Sequence, residues 1–227
     1  MTFTLDQVVP WGRSFEEYVL MFALSDVDLG GRILGCGDGP ASFNAGAAAR
    51  GLRVVSTDPI YRFSGAEIRT RVAETAATIS DQLHRNAHEF VWRHFNAPDQ
   101  VIAARLRAMG EFLDHYEGAA PRRRYVAATL PTLPFASDSF DLAVCSHFLF
   151  LYGEHQDREF HLNSLVEMTR VAAEVRVFPL LELGGARSRH IEAVVHAIRE
   201  SGLVAEEVPV PYEFQRGGDH MLRIRRS

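Results

Sequence analysis

The sequence predicts an α/β domain whose mostly parallel sheet is covered by helices on both faces. The first observation is a short apolar run at 32–34 that leads into a glycine-rich turn, a helix of small residues and a second apolar run. The second is that predicted strands and helices alternate along the rest of the chain, which is typical of parallel sheets. The third is a closing pair of strands around Gly217 and Gly218, which indicates an antiparallel edge.

The elements follow from apolar periodicity and from the positions of turn residues. Helices are predicted near 14–25, 41–50, 157–171 and 188–201, and strands near 31–35, 52–57, 124–128, 140–145, 173–179, 203–209 and 219–225. A chain of 227 residues, 47% of them hydrophobic, has enough apolar material for one complete domain with an elaboration. We therefore interpret residues 1–227 as a single domain.

The glycine turn reads Gly35-Cys36-Gly37-Asp38-Gly39. Glycine permits positive φ and lacks the Cβ atom that would keep a ligand from the backbone. The helix that follows directs its unpaired N–H groups toward the same space. Asp58 ends the next predicted strand, where its carboxylate can accept hydrogen bonds from ribose hydroxyls. The pattern predicts a site for an adenosine-containing cofactor.

The turn differs from two common nucleotide-binding motifs. The nicotinamide fingerprint has glycine or alanine at its sixth position, where this chain has Pro40. The G-K-[ST] ending of a phosphate-binding P-loop is also missing. A nicotinamide-dependent oxidoreductase stays open as an alternative function, and so does a non-catalytic cofactor-binding or interaction protein.

Three segments together resemble the class I S-adenosylmethionine-dependent methyltransferases. The turn at 35–39 resembles the first motif of that family, and Asp58 resembles its ribose-binding acid. The segment Leu-Pro-Phe-Ala-Ser-Asp-Ser-Phe-Asp-Leu at 133–142 resembles the one that leads into the family's fourth strand. The resemblance covers about 30–60 and 124–226 and is to poorly characterised bacterial members. It implies a Rossmann-like sheet, S-adenosylmethionine as the cofactor and methyl transfer to a small-molecule acceptor.

The resemblance also implies the residues that contact the cofactor, which are Gly35, Cys36, Gly37, Gly39, Asp58, Pro59, Thr129, Leu130 and Ser146. The chain departs from the family at two of its acids. Ile33 stands where the family has an acid two residues before the first glycine, and Thr129 stands where an acid faces the adenine. Leu130 would then lie beside the adenine, with backbone groups or the Thr129 hydroxyl in place of the carboxylate.

Methyl transfer from a sulfonium needs an aligned acceptor and a dry site more than it needs a catalytic triad. His147, just after the fourth strand, is the candidate general base if the acceptor must lose a proton. The alternative is a histidine that only packs or caps the strand. In family members an N-terminal helix often covers the cofactor, so Arg13 is placed either toward the methionine carboxylate or on a surface turn beside a packed Trp11.

Residues 63–123 form a predicted helical insertion after the second strand. Apolar residues recur there at three- and four-residue steps from Ile68 to Phe90, and Pro98 suits the first turn of a second helix. Ligands of open α/β sheets bind at the carboxyl ends of the strands, where this insertion starts. We expect a lid or a substrate-recognition module, with a dimerisation arm or a packing elaboration as the alternative.

Several other classes of site are not predicted. His84 and His88 have the spacing of metal ligands, but no further motif completes a site, so no metal is expected. Cys36 and Cys145 are expected to fill the core. A net charge of −5 gives no reason to expect a nucleic-acid partner. No signal peptide or membrane span is visible, so a cytoplasmic location and no membrane partner are expected. The oligomeric state and the acceptor do not follow from the sequence.

Overall fold

Seven strands form one sheet in the computed structural model, which describes Phe3, Leu5, 8–118 and 123–226. The strands are β1 Arg32–Cys36, β2 Arg53–Thr57, β3 Tyr125–Val126, β4 Phe140–Ser146, β5 Ala172–Phe178, β6 Val204–Pro209 and β7 His220–Arg225. Their order is β3-β2-β1-β4-β5-β7-β6, and β7 is antiparallel to both of its neighbours. The predicted parallel sheet with an antiparallel edge is confirmed.

Seven α-helices cover this sheet in the described residues. They are α1 Phe15–Met21, α2 Asp26–Gly30, α3 Phe43–Ala49, α4 Gly65–Arg85, α5 Pro98–Tyr116, α6 Arg158–Val171 and α7 Ile191–Glu200. Local sequence sets their starts: Ser14 and Ser64 each form a capping box with a glutamate three residues later. Pro98 occupies the first turn of α5, as predicted.

Two helix predictions need correction. The single helix predicted over 14–25 is two helices, because Ala23 adopts a positive φ of 45° and Ser25 caps the new helix α2. The long helix of the insertion ends at Arg85, short of Phe90. The Phe90 ring instead stacks on Phe214 with 4.7 Å between centroids, so a tertiary contact accounts for its apolar character.

The core has one layer on each face of the sheet. Alternation along β1 directs Leu34 and Cys36 toward the face covered by α6 and α7, and Ile33 toward the face covered by α1 and α3. Cys36 and Cys145 are both free and fully buried, which confirms their predicted place in the core.

The strand order determines where the sheet opens a crevice that can bind a ligand. β1 has β2 on one side and β4 on the other, so the chain leaves β1 and β4 in opposite directions and opens a crevice at their carboxyl ends. Helices α4 and α5 pack against each other as an antiparallel pair beside this edge. The predicted insertion is therefore helical, although its last part, 119–122, lies outside the described residues.

Phe43→Ala should destabilise the protein by about 3–5 kcal/mol, the usual cost of truncating a buried phenylalanine. Phe43 is fully buried and stacks on Tyr18 with 4.4 Å between ring centroids. Urea unfolding would measure the change. As a control, Val27→Ala should change stability by less than about 0.5 kcal/mol, because Val27 is 86% exposed. Equal effects from both substitutions would contradict this view of the core.

Candidate functional site

The glycine turn has the left-handed backbone that the sequence predicts. Gly37 and Gly39 have φ values of 66° and 53°, and the Gly37 N–H donates to the Thr57 carbonyl at 2.8 Å. Gly35 serves a different purpose: a Cβ atom there would lie 1.8 Å from the Asp38 Oδ2 atom. Its small size makes room for a side chain of the turn itself, rather than for a ligand.

A cavity of about 580 Å³ opens at the carboxyl ends of the strands. The predicted cofactor residues that line it are Gly37, Gly39, Asp58, Pro59, Thr129, Leu130 and Ser146. Gly35 and Cys36 are not among its lining residues, because Gly35 lies under Asp38 and Cys36 points into the core. The volume is within the range of small-molecule and cofactor sites.

Asp58 holds its carboxylate at the edge of this cavity. Its Oδ2 atom accepts from the Gly39 N–H at 2.9 Å, and its Oδ1 atom accepts from the Ile60 N–H at 2.8 Å. Burial raises the pKa of Asp58 to about 6, against the effect of these two hydrogen bonds. The two backbone donors fix the orientation of the carboxylate, and each oxygen keeps acceptor capacity for a further hydroxyl.

A second acid, Asp38, was not predicted as a site residue. The Tyr18 hydroxyl donates to its Oδ1 atom at 2.9 Å, whereas Oδ2 is buried with no hydrogen-bond partner among the described residues. Burial raises the pKa of Asp38 to about 7. Its position inside the glycine motif indicates that it lies close to the site. Its burial could not be predicted, because it depends on α1, which lies elsewhere in the sequence.

His147 lies in the cavity wall just beyond β4. It has a positive φ of 52°, which is uncommon outside glycine, and its Nδ1 atom is 2.9 Å from the Ser146 Oγ atom. Burial, followed by the charges of Arg13 and Arg105, lowers the pKa of His147 well below its usual value. The imidazole is therefore neutral at pH 7 and faces the cavity, although its role as a base stays a prediction.

Arg13 also faces the cavity, so the alternative of a surface turn is wrong. Its neighbour Arg105, from α5, pairs with the Glu17 carboxylate, which also accepts from the Tyr212 hydroxyl at 2.7 Å. Burial alone would raise the pKa of Glu17, but the charge and hydrogen bond of Arg105 lower it to about 2. Arg105 was missed because its partners lie 88 and 107 residues away along the chain.

At the two positions where the family resemblance leads us to expect an acid, no other carboxylate takes its place. Ile33 is fully buried in the core, and the Thr129 hydroxyl donates to the Leu130 carbonyl at 3.2 Å. Thr129 and Leu130 nevertheless line the same cavity as Asp58 and Pro59.

The insertion forms one side of the same cavity. Arg71, Thr75, Ile79 and Leu83, which follow one another at four-residue steps on α4, all line it. Val101 and Arg105 add the corresponding face of α5. The inserted helices therefore border the candidate site, as their place after β2 predicts.

No group of three or more potential metal ligands occurs in the part of the chain that the structure describes. His84 lies 3.1 Å from Asp99 in an ion-pair arrangement, and His88 lies beyond the end of α4, so the two histidines do not share a helix face. Over the same described ranges, no helix has both the length and the apolarity to cross a membrane.

Asp38→Asn should make stability less dependent on pH and should stabilise the protein above about pH 7. Because the pKa of Asp38 is raised to about 7 from an ordinary value near 3.8, the folded state binds the proton more tightly than the unfolded state between these values. Wild-type stability therefore falls as pH rises through that window, and asparagine removes this loss while still accepting from Tyr18. Urea unfolding at about pH 5 and pH 8 measures it.

The matched control for this pH effect is Asp114→Asn, because Asp114 is exposed on α5. This variant removes the same unit charge and should keep the wild-type pH dependence. If Asp38→Asn and Asp114→Asn show the same profile, the raised pKa of Asp38 is refuted.

No protein-family model matches the chain. It is 31% identical over 223 residues to the uncharacterized protein MJ0045 of Methanocaldococcus jannaschii, covering 98% of both chains. Among solved structures, it is similar to the magnesium protoporphyrin IX methyltransferase ChlM of Synechocystis PCC 6803 with bound SAH. That likeness has a TM-score of 0.50 and 15% identity, over 93% of this chain and 81% of ChlM.

A further solved structure with similarity is the PH0226 protein of Pyrococcus horikoshii OT3, with a TM-score of 0.48 and 10% identity over 94% of this chain and 91% of that chain. The likeness to ChlM shows that the two chains share a fold, the Rossmann-like α/β sheet that the sequence predicts. The named sequence relative is archaeal, so a bacterial origin stays a prediction. The chain belongs to the same protein family as MJ0045 of Methanocaldococcus jannaschii.

Proposed function

We propose that this protein is an S-adenosylmethionine-dependent methyltransferase that acts on a small molecule. The observation that carries the proposal is Asp58, which is fixed by the Gly39 N–H at the edge of the cavity at the carboxyl end of the sheet. This places a carboxylate and a glycine turn at the position where open α/β sheets bind nucleotides.

The residues present fit the adenosine part of this cofactor. A Cβ atom added at Gly39 would have only the Asp58 carboxylate within 4 Å, so the turn is open on its cavity side. Asp58 is proposed to accept from the ribose hydroxyls, with Pro59 and Leu130 on either side of the adenine. Gly37, Thr129 and Ser146 complete the proposed cofactor wall. Gly35 and Cys36 are proposed to act by shaping the turn.

When bound, S-adenosylmethionine would supply an electrophilic methyl group. The protein's part is to bind, orient and exclude water. Ser146 and His147 lie at the end of β4, next to β1, so they border the space where an acceptor must approach. His147 is proposed to accept a proton from the acceptor where one must be lost. Its neutral state at pH 7 leaves the imidazole free to do so.

The insertion at 63–123 is proposed to recognise the acceptor and to roof the site. This is supported by the five cavity-lining residues on α4, which are the charged or polar Arg71, Glu74 and Thr75 and the apolar Ile79 and Leu83. Such a surface suits selection of a ligand better than a role in packing alone. The alternative of a dimerisation arm predicts no cavity-facing row on α4.

The other expectations stay predictions. The alternative of a nicotinamide-dependent oxidoreductase is less well supported, because Pro40 stands where the dinucleotide fingerprint has glycine or alanine. A non-catalytic cofactor-binding protein would show cofactor affinity without turnover. A cytoplasmic location and the absence of a nucleic-acid partner are inferred from the sequence composition alone.

Asp58→Ala should weaken binding of S-adenosylhomocysteine by about 1.5–3 kcal/mol, because the ribose hydroxyls lose a charged acceptor. Isothermal titration calorimetry measures the change, and thermal unfolding checks that the variant folds. Asp114→Ala, on the exposed face of α5, is the matched control and should bind as the wild type does. Unchanged affinity in Asp58→Ala would disprove the ribose contact, and binding of NAD alone by the wild type would disprove the proposed cofactor.

Thr75→Trp should abolish acceptor turnover and spare cofactor binding, because the new ring would fill the cavity from the α4 side. The control is Thr70→Trp, on the exposed face of the same helix. Calorimetry with S-adenosylhomocysteine and methyl transfer to any identified acceptor are the two readouts. Full activity in Thr75→Trp would show that the insertion does not border the acceptor.

A further inference from the structure

The cavity is lined by a half-buried arginine, Arg13, that has no carboxylate partner among the described residues. In the described part of the chain, Arg13 makes no ion pair within 4.0 Å, and its Nε atom is buried without a hydrogen-bond partner. The nearby carboxylate of Glu17 is already bound by Arg105 and Tyr212. Two arginines and one glutamate leave one positive charge, and the buried Nε–H of Arg13 is a costly donor while it has no acceptor. A ligand anion would remove this cost.

The backbone around Arg13 holds it at this place. A Cβ atom on Gly12 would lie 2.1 Å from the Pro40 carbonyl oxygen, so the segment before α1 is pressed against the glycine turn. The Ser42 N–H donates to the Arg13 carbonyl at 3.0 Å, and the Arg13 Nη1 atom donates to the Trp11 carbonyl at 3.0 Å. The guanidinium is thus positioned before any ligand binds.

An apolar wall adjoins this charge. Apolar side chains that line the cavity include Ile79, Leu83, Phe90, Val101, Leu183 and Phe214. The Arg105 guanidinium lies 5.6 Å from the Phe95 ring centroid, and Phe95 packs edge-on against Phe214. Phe214 in turn stacks on Phe90, so an aromatic surface extends from Arg105 into the cavity.

Charges of both signs line the cavity: the acids are Asp38, Asp58 and Glu74, and the arginines are Arg13, Arg62, Arg71 and Arg105. Arg62 and Arg71 are exposed and Arg105 is paired with Glu17, which leaves Arg13 as the shielded guanidinium available to a ligand anion. We propose that the acceptor is a small aromatic acid, whose anionic group binds Arg13 and whose ring packs against Phe90 and Phe214. This inference rests on the proposed methyltransferase function, because it assigns the substrate class of that site.

One other source could supply the anion, namely the carboxylate of the cofactor's methionine portion. The two sources make different predictions for the same substitution. If the acceptor supplies the anion, Arg13→Gln weakens binding of an aromatic acid and spares the cofactor. If the cofactor supplies it, the same substitution weakens binding of S-adenosylhomocysteine.

The test is calorimetry on the full chain saturated with S-adenosylhomocysteine, titrated with 2-naphthoate, 2-naphthamide and acetate. The naphthoate should bind at least about tenfold more tightly than the neutral amide, which lacks the charge, and than acetate, which lacks the ring. Arg13→Gln should reduce naphthoate affinity about tenfold, to the level of the amide, and change S-adenosylhomocysteine affinity less than about twofold. Arg13→Lys, which keeps the charge, should retain the preference for the acid.

The control is Arg107→Gln, an exposed arginine on α5 that does not line the cavity, which should change neither affinity. Equal binding of naphthoate and naphthamide by the wild type would overturn the inference. A tenfold loss of S-adenosylhomocysteine affinity in Arg13→Gln would overturn it as well, by assigning Arg13 to the cofactor. If the wild type binds no S-adenosylhomocysteine, the proposed function fails, and the naphthoate titration without it still tests the anion site.

Discussion

The structure around the cavity depends on the buried ion pair between Glu17 and Arg105. Only 1% of the Arg105 side chain and 11% of the Glu17 side chain are exposed, and Tyr212 donates to the same carboxylate. The pair therefore joins α1, the inserted α5 and the segment before β7, which are far apart in sequence. The charges of Glu17 and Arg105 are tolerated away from water because each neutralises the other. Loss of either partner would leave a buried charge without a counter-charge. The pair fixes the N-terminal segment across the glycine turn.

The same pair sets the electrostatics of the site. Because Glu17 is used by Arg105, the neighbouring Arg13 has no carboxylate of its own. Burial lowers the pKa of His147, and the charges of both guanidiniums lower it further, so the imidazole is neutral. At the glycine turn, burial raises the pKa of Asp38 and Asp58, so the turn carries acids whose ionisation would be favoured by a positive ligand. The fold thus produces a cavity that combines these acids with an arginine, Arg13, that has no carboxylate partner among the described residues.

Much of the fold could be predicted because its signals are local. Capping serines, Pro98 and the alternation of apolar residues mark the elements within a few residues of their observed limits. Predictions failed where a tertiary contact replaced a local one. The apolar spacing that extended the inserted helix to Phe90 reflects packing on Phe214, and the break at Ala23 has no preceding proline or glycine to announce it. Gly35 looked like a ligand-facing glycine but makes room for Asp38.

The sequence by itself determined the class of sheet, the glycine turn and the acid at the end of β2, because each depends on residues within one strand–turn–helix unit. It also indicated an insertion at the carboxyl edge. Only the tertiary structure decided that Gly35 and Cys36 stay out of the cavity and that α4 presents side chains to it. It also decided that Arg13 has no carboxylate partner among the described residues. The physical reason is that burial and charge balance depend on groups brought together from distant parts of the chain, and a one-dimensional pattern does not contain those distances.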